Sequence, residues 1–219
     1  MVLRFSMLAV AFFFISCSDI ARDNPYDPDG INYVGDQVPS SSSGGTPVPV
    51  GPIYYEGETY ETVVIGTQIW FKRNLNYAAP GSKCYGNIEA NCTIYGKLYN
   101  WETAISVCPS GWRLPSAGDW NALVTAVGGA NAGRYLKAIS GWNDGNGTDT
   151  YGFAALPGGF YSAMTGAFAE AGINGSWWTA SEYNSLLANS RWMHYSDDVV
   201  SNGDTSYKTT MMSVRCMRN

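Results

Sequence analysis

The chain has 219 residues, with 13 basic against 18 acidic side chains, a formal net charge of −5, and no Lys/Arg cluster. Binding to phosphates needs a basic face, so this balance argues against nucleic acid as a partner. Glycine, tyrosine and tryptophan are abundant, at 25, 15 and 8 residues, a composition suited to a loop-rich extracellular module with broad aromatic surfaces.

Arg4 precedes an apolar run over residues 7–16, and Cys17-Ser18-Asp19 follows it. A short basic start, an apolar run too short to span a bilayer and a small residue before the cut describe an export signal. Phe14-Ile15-Ser16-Cys17 resembles a bacterial lipobox. The expectation is a signal peptide over 1–16, cleavage before Cys17 and acylation of that residue. Several acyl chains together anchor a protein stably in a membrane. The implied location is the cell envelope, at the outer membrane. The segment 17–53 then reads as a tether, turn-rich and acidic around Asp27 and Asp29, then Ser/Gly- and Pro-rich from Ser40 to Pro49. Residues 54–219 are enough for one core of ordinary domain size.

The β-branched stretch Glu61-Thr62-Val63-Val64-Ile65 and the segment Gln68-Ile69-Trp70-Phe71-Lys72, joined by Gly66-Thr67, predict a hairpin. The segment around Cys84 and Cys92 reads as irregular. Asn100 is placed to cap a short helix over 101–107, ended by Pro109-Ser110-Gly111. Ser116 and Asp119 form a capping-box pattern opening the clearest helix. Its Trp120, Leu123, Val124 and Val127 fall on one face, and Gly128-Gly129 stops it. A short helical turn is expected over 134–139, then a long polar loop over 140–149. Short aromatic strands are expected at 152–156, 160–161, 176–180, 190–195 and 213–217. The order predicts an α+β domain, with two main helices packed on short antiparallel strands and a long loop region.

Four cysteines follow Cys17: Cys84, Cys92, Cys108 and Cys216. An even number in an exported chain points to two disulfides, with three pairings open. We take Cys84–Cys92, which closes a short loop, and Cys108–Cys216, which ties the first helix region to the last strand. Chain entropy assigns about 2.5 kcal/mol to the short loop and about 4.8 kcal/mol to the long one. Free thiols or a metal site are the alternatives, but there is no C-x-x-C and the single histidine is His194.

Several strings occur together: Gly66-Thr67-Gln68-Ile69-Trp70, Asn74-Leu75-Asn76-Tyr77, Tyr95-Gly96-Lys97-Leu98-Tyr99-Asn100-Trp101 and Cys108-Pro109-Ser110-Gly111-Trp112-Arg113-Leu114-Pro115-Ser116. Gly152-Phe153-Ala154-Ala155-Leu156-Pro157-Gly158-Gly159, Trp178-Thr179-Ala180-Ser181-Glu182 and Ser213-Val214-Arg215-Cys216 follow. Their number and order over roughly residues 58–218 resemble the Fibrobacter succinogenes major paralogous domain, a family of exported bacterial domains of unknown function. That family resembles the C-type-lectin-like fold, which formylglycine-generating enzymes also use. The resemblance implies a fold and a location but no activity.

Catalytic signals are weak. His194 has no Gly-x-Ser-x-Gly elbow to serve. Glu170, Glu182, Asp197 and Asp198 are available as carboxylates, but nothing marks a pair. With both cysteine pairs read as structural, no thiol remains for copper-dependent oxidation. Asp144, Asn146, Thr148 and Asp149 carry oxygen ligands at the spacing of a calcium loop, and the same residues make turns. Trp142, in the polar loop, is the expected exposed aromatic. Of the adjacent pair Trp177-Trp178, one is expected to point inward and one outward to join it. The leading expectation is therefore a non-catalytic, lectin-like binding and display domain for a polysaccharide or a surface protein. Trp142, Trp177, Trp178, Asp144, Asn146 and Asp149 form its contact set, and the last three offer ligands to calcium. A hydrolase or oxidase on the same scaffold, or a purely structural envelope protein, are the rivals.

Overall fold

A computed structural model describes residues 51–219. The lipobox at Cys17 and the tether up to residue 50 lie outside the described residues. Chain order gives β1 (Ile53–Tyr55), β2 (Glu58–Tyr60), β3 (Thr62–Ile65), β4 (Gln68–Phe71), α1 (Glu89–Tyr95), β5 (Leu98–Tyr99) and α2 (Trp101–Ala104). Then come β6 (Trp112–Arg113), α3 (Ala117–Ala126), α4 (Ala132–Leu136), β7 (Gly158–Ser162), β8 (Ala167–Ala171) and β9 (Asn174–Glu182). Last are β10 (Leu187–His194), β11 (Asp204–Tyr207), β12 (Met212–Ser213) and β13 (Met217–Arg218). The domain is α+β, mostly strands with a few short helices. Among the described residues no helix is long and apolar enough to cross a membrane.

The predicted hairpin is β3–β4, in register Val63↔Trp70 and Ile65↔Gln68. It extends through β13 to β6 in a four-stranded sheet. A larger sheet runs β11-β10-β9-β12-β5, with β7 also on β9 and β8 on β7. Not all of its strands are antiparallel: β12 and β7 each pair with β9 in parallel, through Ser213↔Trp177 and Gly159↔Gly175. The helix over 117–126 starts as its sequence dictates. The Ser116 hydroxyl accepts from Asp119 N–H, and the Asp119 carboxylate accepts from Ser116 N–H. Trp120, Leu123 and Val127 are fully buried. Asn100 caps Thr103 N–H as expected, but α2 stops at Ala104.

Other expectations need correction. The 84–92 segment contains α1, which starts at Glu89 and has no side-chain cap to announce it. Residues 152–156 are not a strand; only Ala155 bridges, to Lys137. β8 and β11 pair at the outer margins of the large sheet, where few apolar contacts mark a strand in sequence.

Both disulfides form as read, Cys84–Cys92 and Cys108–Cys216. The apolar residues divide into two clusters on opposite faces of β9. One holds Trp178 with Tyr99, Trp101 and Met212. The other holds Trp177 with Trp70, Trp120, Phe153 and Met193. Arg215, 1% exposed, crosses the interior. It donates to Asn74 Oδ1 at 2.8 and 3.0 Å and to the carbonyls of Phe71 and Phe153 at 3.1 and 2.5 Å. Trp177 Nε1–H shares Asn74 Oδ1 at 2.9 Å. Burial pushes the Arg215 guanidinium down to about 9, against the opposing pull of Asp149. The cation is kept because its hydrogen bonds are satisfied. The strings around Asn74, Phe153 and Arg215 thus encode a buried network, which Trp177 joins.

Candidate functional site

The expected contact loop is closed. Trp142 is 3% exposed rather than presented to solvent. Its indole N–H donates to Ala155 O at 3.1 Å, and the Lys137 ammonium lies 5.3 Å from its ring centroid. Lys137 is itself buried and donates to the carbonyls of His194, Tyr195 and Asp197 at 3.1, 3.2 and 2.8 Å. Burial lowers its pKa, with Asp198 and Asp197 acting against the shift. Asn146 Oδ1 accepts from Trp142 N–H at 3.1 Å, and Asp149 Oδ1 accepts from Ala154 N–H at 2.7 Å. These oxygens fold the loop back on itself, while Asp144 is exposed. The backbone approach is close enough to require glycine: a Cβ at Gly145 would lie 1.5 Å from Tyr195 O, and one at Gly147 2.2 Å from Lys137 O.

The inward–outward division of Trp177 and Trp178 also fails, because both are fully buried. Strand alternation does send them to opposite faces, but each face of β9 is covered there by its own apolar cluster.

The open face lies one strand away. Seven of the eight tryptophans are buried, and Trp192 on β10 is the exception. The alternation along β10 produces this: Arg191 and Met193 point into the interior, while Trp192 and His194 are partly exposed on the other face. Ser201 fixes Trp192 from both sides of its backbone. Trp192 N–H donates to Ser201 Oγ at 2.8 Å, and Ser201 N–H to Trp192 O at 2.9 Å. The indole N–H of Trp192 has no acceptor among the described residues, whereas those of Trp70, Trp101, Trp142, Trp177 and Trp178 are bonded; those of Trp112 and Trp120 also lack one, but in buried rings.

Trp192 belongs to an open groove of about 810 Å³ across β7, β9, β10 and β11. Phe160, Asn174, Ser176, Ser190 and Asp204 share its walls. Ser190 Oγ and Ser206 Oγ are 3.2 Å apart, and Asn174 Nδ2 donates to the Glu170 carboxylate. Of the residues that line the groove, two carry a buried acceptor without a partner, Asn174 Oδ1 and Asp204 Oδ2, and one a buried donor, Arg191 Nε. Buried polar atoms are normally satisfied, so such a pair marks a place where a ligand or water donates.

His194 Nδ1 lies 2.7 Å from Ser196 Oγ and accepts from Ser196 N–H at 3.2 Å. This is a local turn bond that leaves Nε2 as the protonated nitrogen. Among the described residues no carboxylate orients that N–H, as a triad base would require. Asp197 and Asp198 lie in the exposed turn after β10, and Glu182 pairs with Lys208 at 2.5 Å. The groove residues were legible only in part. Period two puts Ser190, Trp192 and His194 on one face of β10 and Arg191 and Met193 on the other, but each face mixes polar and apolar residues, so nothing local marks which one is open.

No curated protein and no solved structure matches the chain. Residues 63–218 match the family model of the Fibrobacter succinogenes major domain, so the chain that builds this groove belongs to that family.

Proposed function

We propose that the protein is a non-catalytic binding and display module of the cell envelope, held at the outer membrane by lipid on Cys17, with the Trp192 groove as its binding face and a polysaccharide as its ligand. The observation that carries this reading is Trp192 itself, the one tryptophan left partly exposed, with a free indole N–H amid serine, asparagine and aspartate side chains. An aromatic plane beside hydrogen-bonding groups suits the flat apolar face and rim hydroxyls of a sugar ring. A C-type-lectin-like fold fits the same residues. Its support is the helices concentrated before the strand-rich half and the bridge from Cys108 to the last strands at Cys216. The absence of chemistry in the proposal is supported by cysteines committed to disulfides and by a histidine held in a local turn.

Affinity electrophoresis in a panel of soluble polysaccharides tests this. Retardation by at least one of them, lost in Trp192→Ala, is the expected result. Unchanged mobility in all of them would turn the reading toward a protein ligand.

A further inference from the structure

The strand registers set Phe160, Ser176 and Trp192 in one line across the groove. Gly159 pairs with Gly175 in parallel, which brings Phe160 beside Ser176, and Ser176 pairs directly with Trp192. All three line the groove. Adjacent strands lie about 4.8 Å apart, so the two rings stand roughly 10 Å apart with a serine hydroxyl between them. Two consecutive rings of a linear pyranose chain cover that distance, one on each aromatic face.

The charge of the walls narrows the choice. Glu170, Asp197 and Asp204 line the groove. Arg191 is the one lysine or arginine among the lining residues. It is 1% exposed, and its two terminal nitrogens are engaged by the carbonyls of Ser190 and Ala117 and the amide oxygens of Asn121 and Asn202, so that only the buried Nε–H lacks a partner. The unpartnered Asn174 Oδ1 and Asp204 Oδ2 call for donors. A neutral sugar brings hydroxyl donors. A uronate brings a further carboxylate into a groove already lined by three, with no exposed lysine or arginine to receive it.

We infer that the groove takes a neutral linear oligosaccharide, laid across the strands from Trp192 to Phe160, and discriminates against polyuronates. This rests on the reading of the groove as a glycan site. The aromatic line sets the path, and the carboxylates set the selection.

Calorimetric titration of the purified protein with a neutral xylose or glucose hexasaccharide and with a galacturonate hexasaccharide separates these layers. The neutral chain should bind at least about tenfold more tightly, a difference of about 1.4 kcal/mol. Trp192→Ala and Phe160→Leu should each weaken it about tenfold or more, the leucine keeping the bulk that packs against the core. In the double variant Glu170→Gln, Asp204→Asn the two ligands should bind within about threefold of each other. Uronate binding equal to or tighter than neutral binding, still dependent on Trp192, would overturn the selection and leave the glycan site standing. Loss with Trp192→Ala but not with Phe160→Leu would overturn the cross-strand path. Failure of the wild-type protein to bind either chain would remove the glycan site and this inference with it.

Discussion

The loop over 140–149 and the groove at β10 share a vocabulary: one tryptophan among asparagine, aspartate, serine and threonine. They have opposite fates. In the loop, Asn146 and Asp149 bond backbone N–H groups within five residues of themselves, Gly145 and Gly147 admit another chain segment at contact distance, and Trp142 is drawn under Lys137. In the groove, the backbone is already paired to β9 and β11. The side chains of the outer face are therefore left over, and Trp192 stays partly open with an unpaired N–H. A polar sequence around a tryptophan reports how the backbone is satisfied; it does not report exposure. Regular strand pairing frees side chains for a ligand, whereas a self-bonded loop consumes them.

Substitutions on the two sides should separate widely. Trp142→Ala removes a fully packed ring and is expected to destabilise by about 3–5 kcal/mol. A drop in thermal midpoint of only a degree or two would mean that the loop is open after all. Lys137→Met keeps the aliphatic stem but orphans three carbonyls, for about 2–3 kcal/mol. Urea unfolding should show it as a lower midpoint at unchanged slope, and an unshifted midpoint would break the clamp between α4 and the turn after β10.

The capping box of α3 should give an intermediate and pH-dependent effect. Burial raises the Asp119 carboxyl, but Arg113 at 2.6 Å and the Ser116 hydroxyl and N–H outweigh it and hold the pKa at about 2. A depressed carboxylate contributes stability that is complete above its unfolded value of 3.8 and is lost as pH falls toward 2. The shift corresponds to about 2 kcal/mol, reduced to about 1–2 kcal/mol because Arg113 is 40% exposed. Asp119→Asn should flatten the stability profile in that window; a profile identical to wild type would deny Asp119 this role. The smallest stability effect is expected at the groove: Trp192→Ala should shift unfolding by less than about 1 kcal/mol. A large loss there would make Trp192 core and erase the contrast.

Much of the first half was legible because its signals are local. The β3–β4 hairpin follows from two β-branched or aromatic runs around Gly66-Thr67, and α3 from Ser116, Asp119 and the spacing of Trp120, Leu123 and Val127. The pairing Cys108–Cys216, one of three the sequence leaves open, is the one the structure contains. The second half was harder, because exposure there is decided by non-local pairing. Nothing in Trp177-Trp178 states that both faces of β9 are covered, since the covering residues, Met193 and Trp120 on one side and Tyr99 and Trp101 on the other, come from distant segments. The burial of Trp142 is hidden for the same reason: its acceptor, Ala155 O, and its cation, Lys137, are set by the Lys137↔Ala155 bridge. The buried role of Arg215 was hidden because a lone arginine near the C-terminus is more often solvated.

Limited oxidation of the folded protein with N-bromosuccinimide, followed by peptide mass mapping, tests the central contrast without any ligand. Trp192 should be the first tryptophan modified, with Trp142, Trp177 and Trp178 protected until the protein unfolds. Modification of Trp142 together with or ahead of Trp192 would contradict the account.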